Sequence, residues 1–257
     1  MNLTLYGVEI WSTALLFGRI GGMIMLLPGF GEPSVPGRIR LAFALAVAIA
    51  LGPALASNVP PPADSAMGMA FQVGAEVLIG VLLGGAARML VSALATAGQI
   101  VGMEMGISFA QTADPTATGS GQLVAVFLGV MGVALIFTTG LHHMFLQGVA
   151  GSYEVISIGG QPPVGDAAQL ALEATATSFR VGFQMAVPLL VAGMLFRVGM
   201  GVLSRLIPQI QVFFVALPLQ IMGGLVVLAL GLSTGMLIWL DSLEVSLPLR
   251  PIFRLSM

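Results

Sequence analysis

The sequence contains no cysteine and no lysine. Without cysteine, the chain forms no disulfide, holds no iron-sulfur cluster through thiolates and has no thiolate nucleophile. Without lysine, it has no phosphate-binding loop of the Gly-Lys-Ser type, and no glycine-flanked nucleophilic serine follows a strand pattern. The nine basic residues are all arginine, stand against eleven acids and form no dense patch, so no nucleic-acid partner is predicted. We therefore expect neither an enzyme nor a protein with a bound cofactor.

Charged residues are also scarce, whereas apolar residues are abundant. The 257 residues are 57% hydrophobic and 8% charged, with a mean hydropathy of +1.03. A soluble domain of this size could not hide so much apolar surface in one core. The first eighteen residues contain Glu9 but no arginine, so we expect no cleaved signal peptide. The composition predicts an integral membrane protein that contacts membrane lipids.

Long apolar windows predict an all-α membrane protein. Crossing the hydrocarbon core takes roughly 20 helical residues. Six windows meet or approach this length: Ile10–Pro28, Leu41–Ala56, Met67–Met103, Gln122–Ala150, Ala171–Phe196 and Leu206–Leu240. The third and sixth are too long for one crossing, and the sixth contains Pro208 and Pro218, which kink a helix or divide it into a hairpin. We therefore expect bent helices and helical hairpins.

The distribution of arginine conflicts with a simple bundle of six crossings. Arg38 and Arg40, like Arg197 and Arg205, mark loops that the positive-inside rule assigns to the cytoplasm. Six crossings would place the C-terminal tail, with its two arginines, on the opposite side. Either the sixth window is a hairpin or the chain does not follow ordinary bilayer topology.

Glycine occurs at four-residue intervals that suit close helix contact. The longest series is Gly98, Gly102 and Gly106, and pairs with the same spacing are Gly18/Gly22, Gly80/Gly84 and Gly231/Gly235. This spacing places small residues on one helix face, where another backbone can approach closely. The triple series predicts that the helix before residue 106 packs tightly on a neighbour, in this chain or in another subunit.

Five charged residues lie in or at the edges of apolar windows: Arg19, Glu76, Arg88, Arg180 and Arg197. An unpaired charge there is costly, so each should be paired or face water. Glu76 and Arg88 are roughly 18 Å apart along one helix, so their partners must lie on other elements. They could form a proton or ion relay, or salt bridges between helices. We favour salt bridges, because an arginine keeps its charge and does not relay protons.

His142 and His143 do not predict a metal site. Adjacent residues on a helix point in different directions, no cysteine is available, and the nearest acid is Glu154. Hydrogen-bonded histidines at an interface are the favoured interpretation.

Four segments resemble a known family: LPGFGEPSVPGRIRLAFALAVAIALGP (27–53), GMEMGISFAQTADPTATGSG (102–121), LHHMFLQGVAGSYEVI (141–156) and LSRLIPQIQVFFVALPLQIMGG (203–224). They resemble, in the same order, the FliR family of the type III secretion export gate and its injectisome counterparts. The most specific elements are Gly-Ile-Ser-Phe-Ala at 106–110 with the following Asp114-Pro115, and Ser204-Arg205 with Pro208-Gln209.

The resemblance implies a partner set and a location. A chain of this family joins FliP and FliQ in a closed helical assembly of the bacterial inner membrane, at the flagellar basal body. This assembly admits unfolded export substrates, with FlhB and FlhA on the cytoplasmic side. The resemblance also implies a FliP-like part at about 1–180 and a FliQ-like helical hairpin at about 181–257.

The resemblance further implies a pore plug in the stretch 106–119. The residues carried over are Gly106, Ile107, Ser108, Phe109, Asp114 and Pro115. Phe109 would be the apolar stopper, and a proline biases the residue before it, here Asp114, towards an extended conformation. A loop of small residues with one aromatic can close a constriction by dewetting and still move aside.

Two further residues, Met103 and Met105, would form a gasket at the plug, because methionine is apolar and adaptable; ordinary helix packing is their other interpretation. Residues 111–113, where relatives often have a second aromatic, are Gln-Thr-Ala.

Two other functions remain open at this stage. One is a small-solute or ion transporter with discontinuous helices, in which Arg19, Glu76 and Arg88 line a site at the membrane midplane. The other is a structural subunit that conducts nothing.

Overall fold

The structure, a computed structural model, describes residues 3–55, 58–107, 122–206 and 212–246 and is built of helices joined by turns and loops. Within these ranges there is no strand. Seven helices follow one another: α1 Leu3–Leu26, α2 Gly37–Leu55, α3 Ala66–Glu104, α4 Leu123–Thr138, α5 Leu141–Val155, α6 Val164–Leu206 and α7 Val212–Ser246. The predicted all-α class is confirmed.

Several of these helices can cross a membrane. By length and hydropathy α2, α3, α6 and residues Ala216–Ser246 of α7 are each long and apolar enough, and α4 with α5 would add a fifth span as a bent pair. The α2, α6 and α7 windows are only 11% buried inside the chain, so most of their apolar surface must contact lipid or other proteins. The prediction of a membrane protein is confirmed.

The fourth apolar window is broken in the middle. The chain bends by 74° between α4 and α5. Gly140 precedes α5 in the left-handed conformation, with a φ of 78°, which glycine adopts without the steric cost that a Cβ brings. The expectation of bent helices is met at this break.

The sixth apolar window is one helix over its described part. α7 continues from Val212 to Ser246 with Pro218 inside it. The interpretation of this window as a hairpin is therefore wrong for residues 212–246, because the proline is accommodated without ending the helix. Pro208 and the arginines of the C-terminal tail lie outside the described residues.

The chain forms two compact units that are not consecutive in sequence. The first comprises Met1–Leu90, Ile136–Thr175 and Glu244–Met257, and the second comprises Val91–Leu135 and Ala176–Leu243. The predicted boundary near residue 180 lies inside the continuous helix α6. The division into a FliP-like part and a FliQ-like hairpin stays a prediction.

In the first unit, glycines allow α1 and α3 to cross at backbone contact. A Cβ on Gly22 would lie 2.6 Å from the carbonyl oxygen of Val77, and one on Gly84 would lie 2.6 Å from that of Met23. A Cβ on Gly80 would collide with the carbonyl oxygen of Arg19. Two of the glycine pairs seen in the sequence thus lie at this one crossing, as small residues do between membrane helices.

In the second unit, the C-terminal half of α3 packs against α4 and α7. A Cβ on Gly98 would collide with the backbone of Ala125 in α4, so the close neighbour of Gly98 belongs to the same chain. Trp239 of α7 is fully buried, and its ring lies 3.1 Å from the position of a Cβ on Gly132. This packing fixes the region where α3 ends.

Candidate functional site

α3 ends in a Schellman motif, where the predicted plug segment begins. Gly106 has a φ of 74°, and its N–H donates to the carbonyl oxygen of Met103 at 3.1 Å. The N–H of Ile107 donates to the carbonyl oxygen of Gly102 at 3.2 Å. This pair of bonds around a left-handed glycine is a frequent helix stop. The sequence therefore ends α3 at a defined position.

Side chains from α6 and α7 hold the last turn of α3. Arg197 of α6 donates through Nη2 to the carboxylate of Glu104. Gln220 of α7 donates through Nε2 to the carbonyl oxygen of Glu104 at 2.5 Å, which satisfies one of the carbonyls that a helix end leaves free. A Cβ on Gly193 would collide with the Glu104 carboxylate. We call Glu104, Arg197 and Gln220 the α3 clamp.

The two methionines at this end of α3 have different surroundings. Met105 is fully buried, and its Cγ lies 2.5 Å from the position of a Cβ on Gly224 of α7. Met103 is 67% exposed. The structure thus gives Met105 a packing contact and leaves Met103 free to contact another molecule. Their role as a gasket stays a prediction.

The chain returns to α3 at the start of α4. Ala125 in the first turn of α4 lies against Gly98, which is about 9 Å along α3 from Glu104. The chain is therefore held on α3 both before residue 108 and shortly after residue 121. Ser108, Phe109, Asp114 and Pro115 lie outside the described residues.

A small cavity adjoins the α3 clamp. Its volume is about 130 Å³, and Glu104, Phe196, Leu219, Gln220, Gly223 and Val227 are among the residues that line it. Ligand sites usually measure roughly 300–1,000 Å³. The cavity is too small for a typical solute site, and the Glu104 carboxylate beside it already has Arg197 as its partner.

A buried ion pair joins α1 to α3 in the first unit. Arg19 donates through Nε to Oε2 of Glu76 at 2.7 Å and through Nη2 to Oε1 at 3.1 Å. Both side chains are fully buried. The N–H of Gly159 donates to Oε1 of Glu76 at 2.7 Å. This two-point geometry is the strong form of an arginine–carboxylate contact. The expectation that Glu76 pairs with a residue on another element is confirmed.

Arg19 also caps the C-terminus of α5. Its Nη1 donates to the carbonyl oxygens of Ser152 at 3.2 Å and Ile156 at 3.0 Å, and its Nη2 reaches that of Ser157 at 3.4 Å. A cation is favourable at this negative end of the helix dipole. The guanidinium carbon lies 4.2 Å from the ring centre of Tyr153, which adds a cation–π contact. Arg19 thus ties α1, α3 and α5 together.

The three charges that a transporter would use are not gathered in one site. Arg19 and Glu76 bond to each other and to backbone groups inside the first unit. Arg88 is exposed on α3, and Arg180 is exposed on α6. The geometry of Arg19 and Glu76 favours a salt bridge between helices over a solute site.

The two histidines lie beside the bend between α4 and α5. Their ring centres are 4.1 Å apart, and Nδ1 of His142 lies 3.4 Å from the carbonyl oxygen of Ile136. Across the described parts of the chain, no group of three or more potential metal ligands is found.

Sequence reasoning missed one residue of the α3 clamp and two glycines that pack beside it. Gln220, Gly193 and Gly224 lie in apolar windows. Gln220 and Gly224 belong to the segment 203–224 that carries the resemblance, but nothing in that segment marked either of them as a contact of α3. The available signal was weak: Gln220 is an uncharged polar residue inside a long apolar run, a position that often marks a contact between membrane helices.

Together, the fold and this site define a helical membrane protein whose long α3 ends in a clamped turn. The chain belongs to the bacterial export proteins, family 1, because the model of that family matches residues 10–245. The resemblance seen in the sequence is confirmed.

Curated relatives agree with this family. The chain is 39% identical over 241 residues to the flagellar biosynthetic protein FliR of Caulobacter vibrioides, covering 94% of this chain and 96% of that protein. It is 30% identical over 225 residues to the FliR protein of Bacillus subtilis, covering 85% of each chain. It is also 25% identical over 215 residues to the Yop proteins translocation protein T of Yersinia pestis, covering 80% of each chain.

Proposed function

We propose that this chain is a subunit of the flagellar type III export gate in the bacterial inner membrane. It assembles with FliP and FliQ into the pore that passes unfolded flagellar proteins, with FlhB and FlhA on the cytoplasmic side. It conducts protein and catalyses no reaction. The similarity to FliR proteins over almost the whole chain supports the flagellar assignment.

Within this gate, the segment 106–119 closes the pore at rest. The observation that carries this proposal is the fixed start of the segment. Gly106 stops α3 in a defined turn, and the α3 clamp holds that turn to α6 and α7. A stopper needs such an anchor, because a plug on a loosely held helix end would not return to one position after each opening.

The segment also has the composition of a movable closure. It contains one aromatic residue, Phe109, among many small residues. Irregular backbone at membrane depth persists only where protein or water satisfies its polar groups. An apolar constriction can exclude water and ions while the pore is closed.

An electrical measurement tests the plug. Gates assembled from this chain and its partners are placed in a planar bilayer, and the resting ion conductance is compared between wild type and Phe109→Ala. Loss of the only bulky aromatic should raise the resting leak. Phe109→Leu is the matched control, since it keeps a large apolar side chain and should remain sealed. An unchanged conductance in Phe109→Ala and in a deletion of 106–119, with secretion intact, would refute the plug.

Purification tests the wider proposal. The chain should purify with FliP-like and FliQ-like chains in excess. A stable homo-oligomer that transports a small solute on its own would show that the chain is a transporter.

A further inference from the structure

One stripe along α3 carries a heptad pattern. Seven positions alternate in steps of four and three residues: Met67, Phe71, Gly74, Leu78, Val81, Gly85 and Arg88. We call these seven residues the α3 seam. Alternation of this kind keeps one stripe facing a partner helix along a left-handed crossing. It is the spacing that a helix–helix interface requires.

Six of the seven residues of the α3 seam are exposed and Gly85 is half-buried, while the opposite face of the helix is buried. Met67 is 80% exposed, Phe71 64% and Leu78 43%. On the other side of the same helix, Ile79 and Leu83 are buried at 1% and 4%. The chain therefore uses one face of α3 for its own packing and leaves a large apolar stripe for something else.

Glycines make the α3 seam suitable for a closely packed helix. A Cβ on Gly74 would meet nothing within 4 Å, and one on Gly85 would meet only Cδ1 of Leu26 at 4.0 Å. Neither glycine is therefore needed for contacts within the chain. Small residues at such positions allow the backbone of a second helix to approach.

The last position of the α3 seam is a charge that has no ion-pair partner among the described residues. Arg88 is exposed, and no described residue forms an ion pair with it. It lies about 33 Å along α3 from Ala66 and about 24 Å from Glu104. Arg88 is therefore far from both helix ends, and an uncompensated guanidinium within a membrane span is costly.

We propose that the α3 seam is the docking surface for a membrane helix of a different subunit, and that this helix presents a carboxylate to Arg88. The proposal rests on membership in a hetero-oligomeric gate. The carboxylate is required by charge complementarity, because an arginine and a carboxylate inside a protein assembly stabilise each other through two parallel hydrogen bonds.

A second copy of this chain does not fit the α3 seam as well. In a parallel two-fold pair, Arg88 would face the Arg88 of the second copy, and like charges repel. In an antiparallel pair, Arg88 would face apolar or glycine positions, because the seam contains no acid. The partner helix must therefore come from another chain.

Cross-linking of the assembled complex tests the surface. The natural chain has no cysteine, so single cysteines can be placed at Leu78 and Val81 and labelled with a photoreactive maleimide. Leu172, equally apolar and 72% exposed on α6, is the matched control. The labels at Leu78→Cys and Val81→Cys should cross-link to one partner subunit. The cross-linked peptides of that subunit should differ from those reached by the label at Leu172→Cys. Adducts of the mass of two copies of this chain, or adducts to lipid alone, would each overturn the proposal.

Charge exchange tests the carboxylate. Arg88→Glu should lower recovery of the assembled complex at least about tenfold, because it places two carboxylates together. The acid in the cross-linked partner helix is then replaced by arginine. This second change should restore assembly of the complex that contains Arg88→Glu. Arg38→Glu, at an exposed helix end, is the control and should assemble normally. A cross-linked helix without an acid, or no rescue by the exchange, would refute the carboxylate.

These outcomes separate the two proposals. If FliP-like and FliQ-like chains do not purify with this chain, the gate assignment fails. If they do purify with it but the seam cysteines do not reach them, the gate assignment stands and the docking surface is wrong.

Discussion

Replacement of Arg19 by methionine should strongly destabilise the first unit. Methionine is similar in length and apolar, so Arg19→Met removes the charge while filling much of the space. It leaves the carboxylate of Glu76 buried, with the N–H of Gly159 as its one remaining hydrogen-bond partner among the described residues. It also removes the donors to the carbonyl oxygens of Ser152 and Ile156 at the end of α5.

The expected loss follows from breaking a buried pair. Removal of one partner from such a pair costs about 3–5 kcal/mol, because an uncompensated charge remains. For a chain of this size, such a loss lowers the melting temperature by about 10 °C. Arg38→Met is the control: Arg38 is exposed, so its loss should change stability by less than about 0.5 kcal/mol.

Thermal unfolding of the purified complex provides the measurement. Trp11 lies in α1, where its indole N–H donates to the carbonyl oxygen of Pro60 at 3.2 Å. The other tryptophan, Trp239, lies in the second unit, so the measurement uses a Trp239→Phe background, in which the fluorescence of this chain reports on the first unit. The double variant Arg19→Met/Glu76→Met should be more stable than Arg19→Met alone, because no buried charge is left. It should remain below wild type by about 1–3 kcal/mol, since carbonyls at the end of α5 lose their donor.

Two results would contradict this reasoning. If Arg19→Met melts like wild type, the pair does not hold α1, α3 and α5 together. If the double variant is the sum of the two single variants, Arg19 and Glu76 do not interact, since contacting residues give non-additive changes.

Three glycine substitutions test the close contacts. Gly98→Leu should prevent folding of the second unit, because a Cβ at this position collides with the backbone of α4. Gly129→Leu is the control and should fold, because a Cβ there would meet nothing within 4 Å. Size-exclusion profiles distinguish the two variants. Gly80→Ala should push α1 away from α3 and lower the melting temperature, while Gly74→Ala, on an open face, should not. Gly106→Ala should lower the free energy of unfolding by about 1 kcal/mol, because the φ of 74° at this position is strained for a residue with a Cβ. Gly106→Asn should lower it by less. Equal melting curves for these two variants would contradict the role of the turn.

Much of the helical framework could be predicted from apolar windows alone. The third window predicted almost the whole of α3, and the observed helix Ala66–Glu104 differs from Met67–Met103 by one residue at each end. Helices in membranes are recognisable because each must satisfy its own backbone and carry apolar side chains. Bent helices were expected, but the position of the break between α4 and α5 was not predicted, because single glycines are common in membrane helices and do not by themselves indicate a bend.

The partners within the buried ion pair could not be predicted. Arg19 and Glu76 are 57 residues apart, and a pattern along one helix carries no information about which helix lies beside it. The sequence indicated only that Arg19 and Glu76 each need a partner, since a charge in an apolar window must be paired. The glycine pairs on α1 and α3 were visible too, but their contact at one crossing appears only once the helices are placed.

Arg88 differs from Arg19 in having no carboxylate partner among the described residues. A charge in an apolar window needs a partner, and the fold supplies one for Arg19 and one for Arg197 but none among the described residues for Arg88. Arg19 has its partner inside the chain because α1 crosses α3 at the level of Glu76. Arg88 lies at an exposed position of α3. A helix of another subunit, as proposed above, would supply the carboxylate that the described residues do not offer to Arg88.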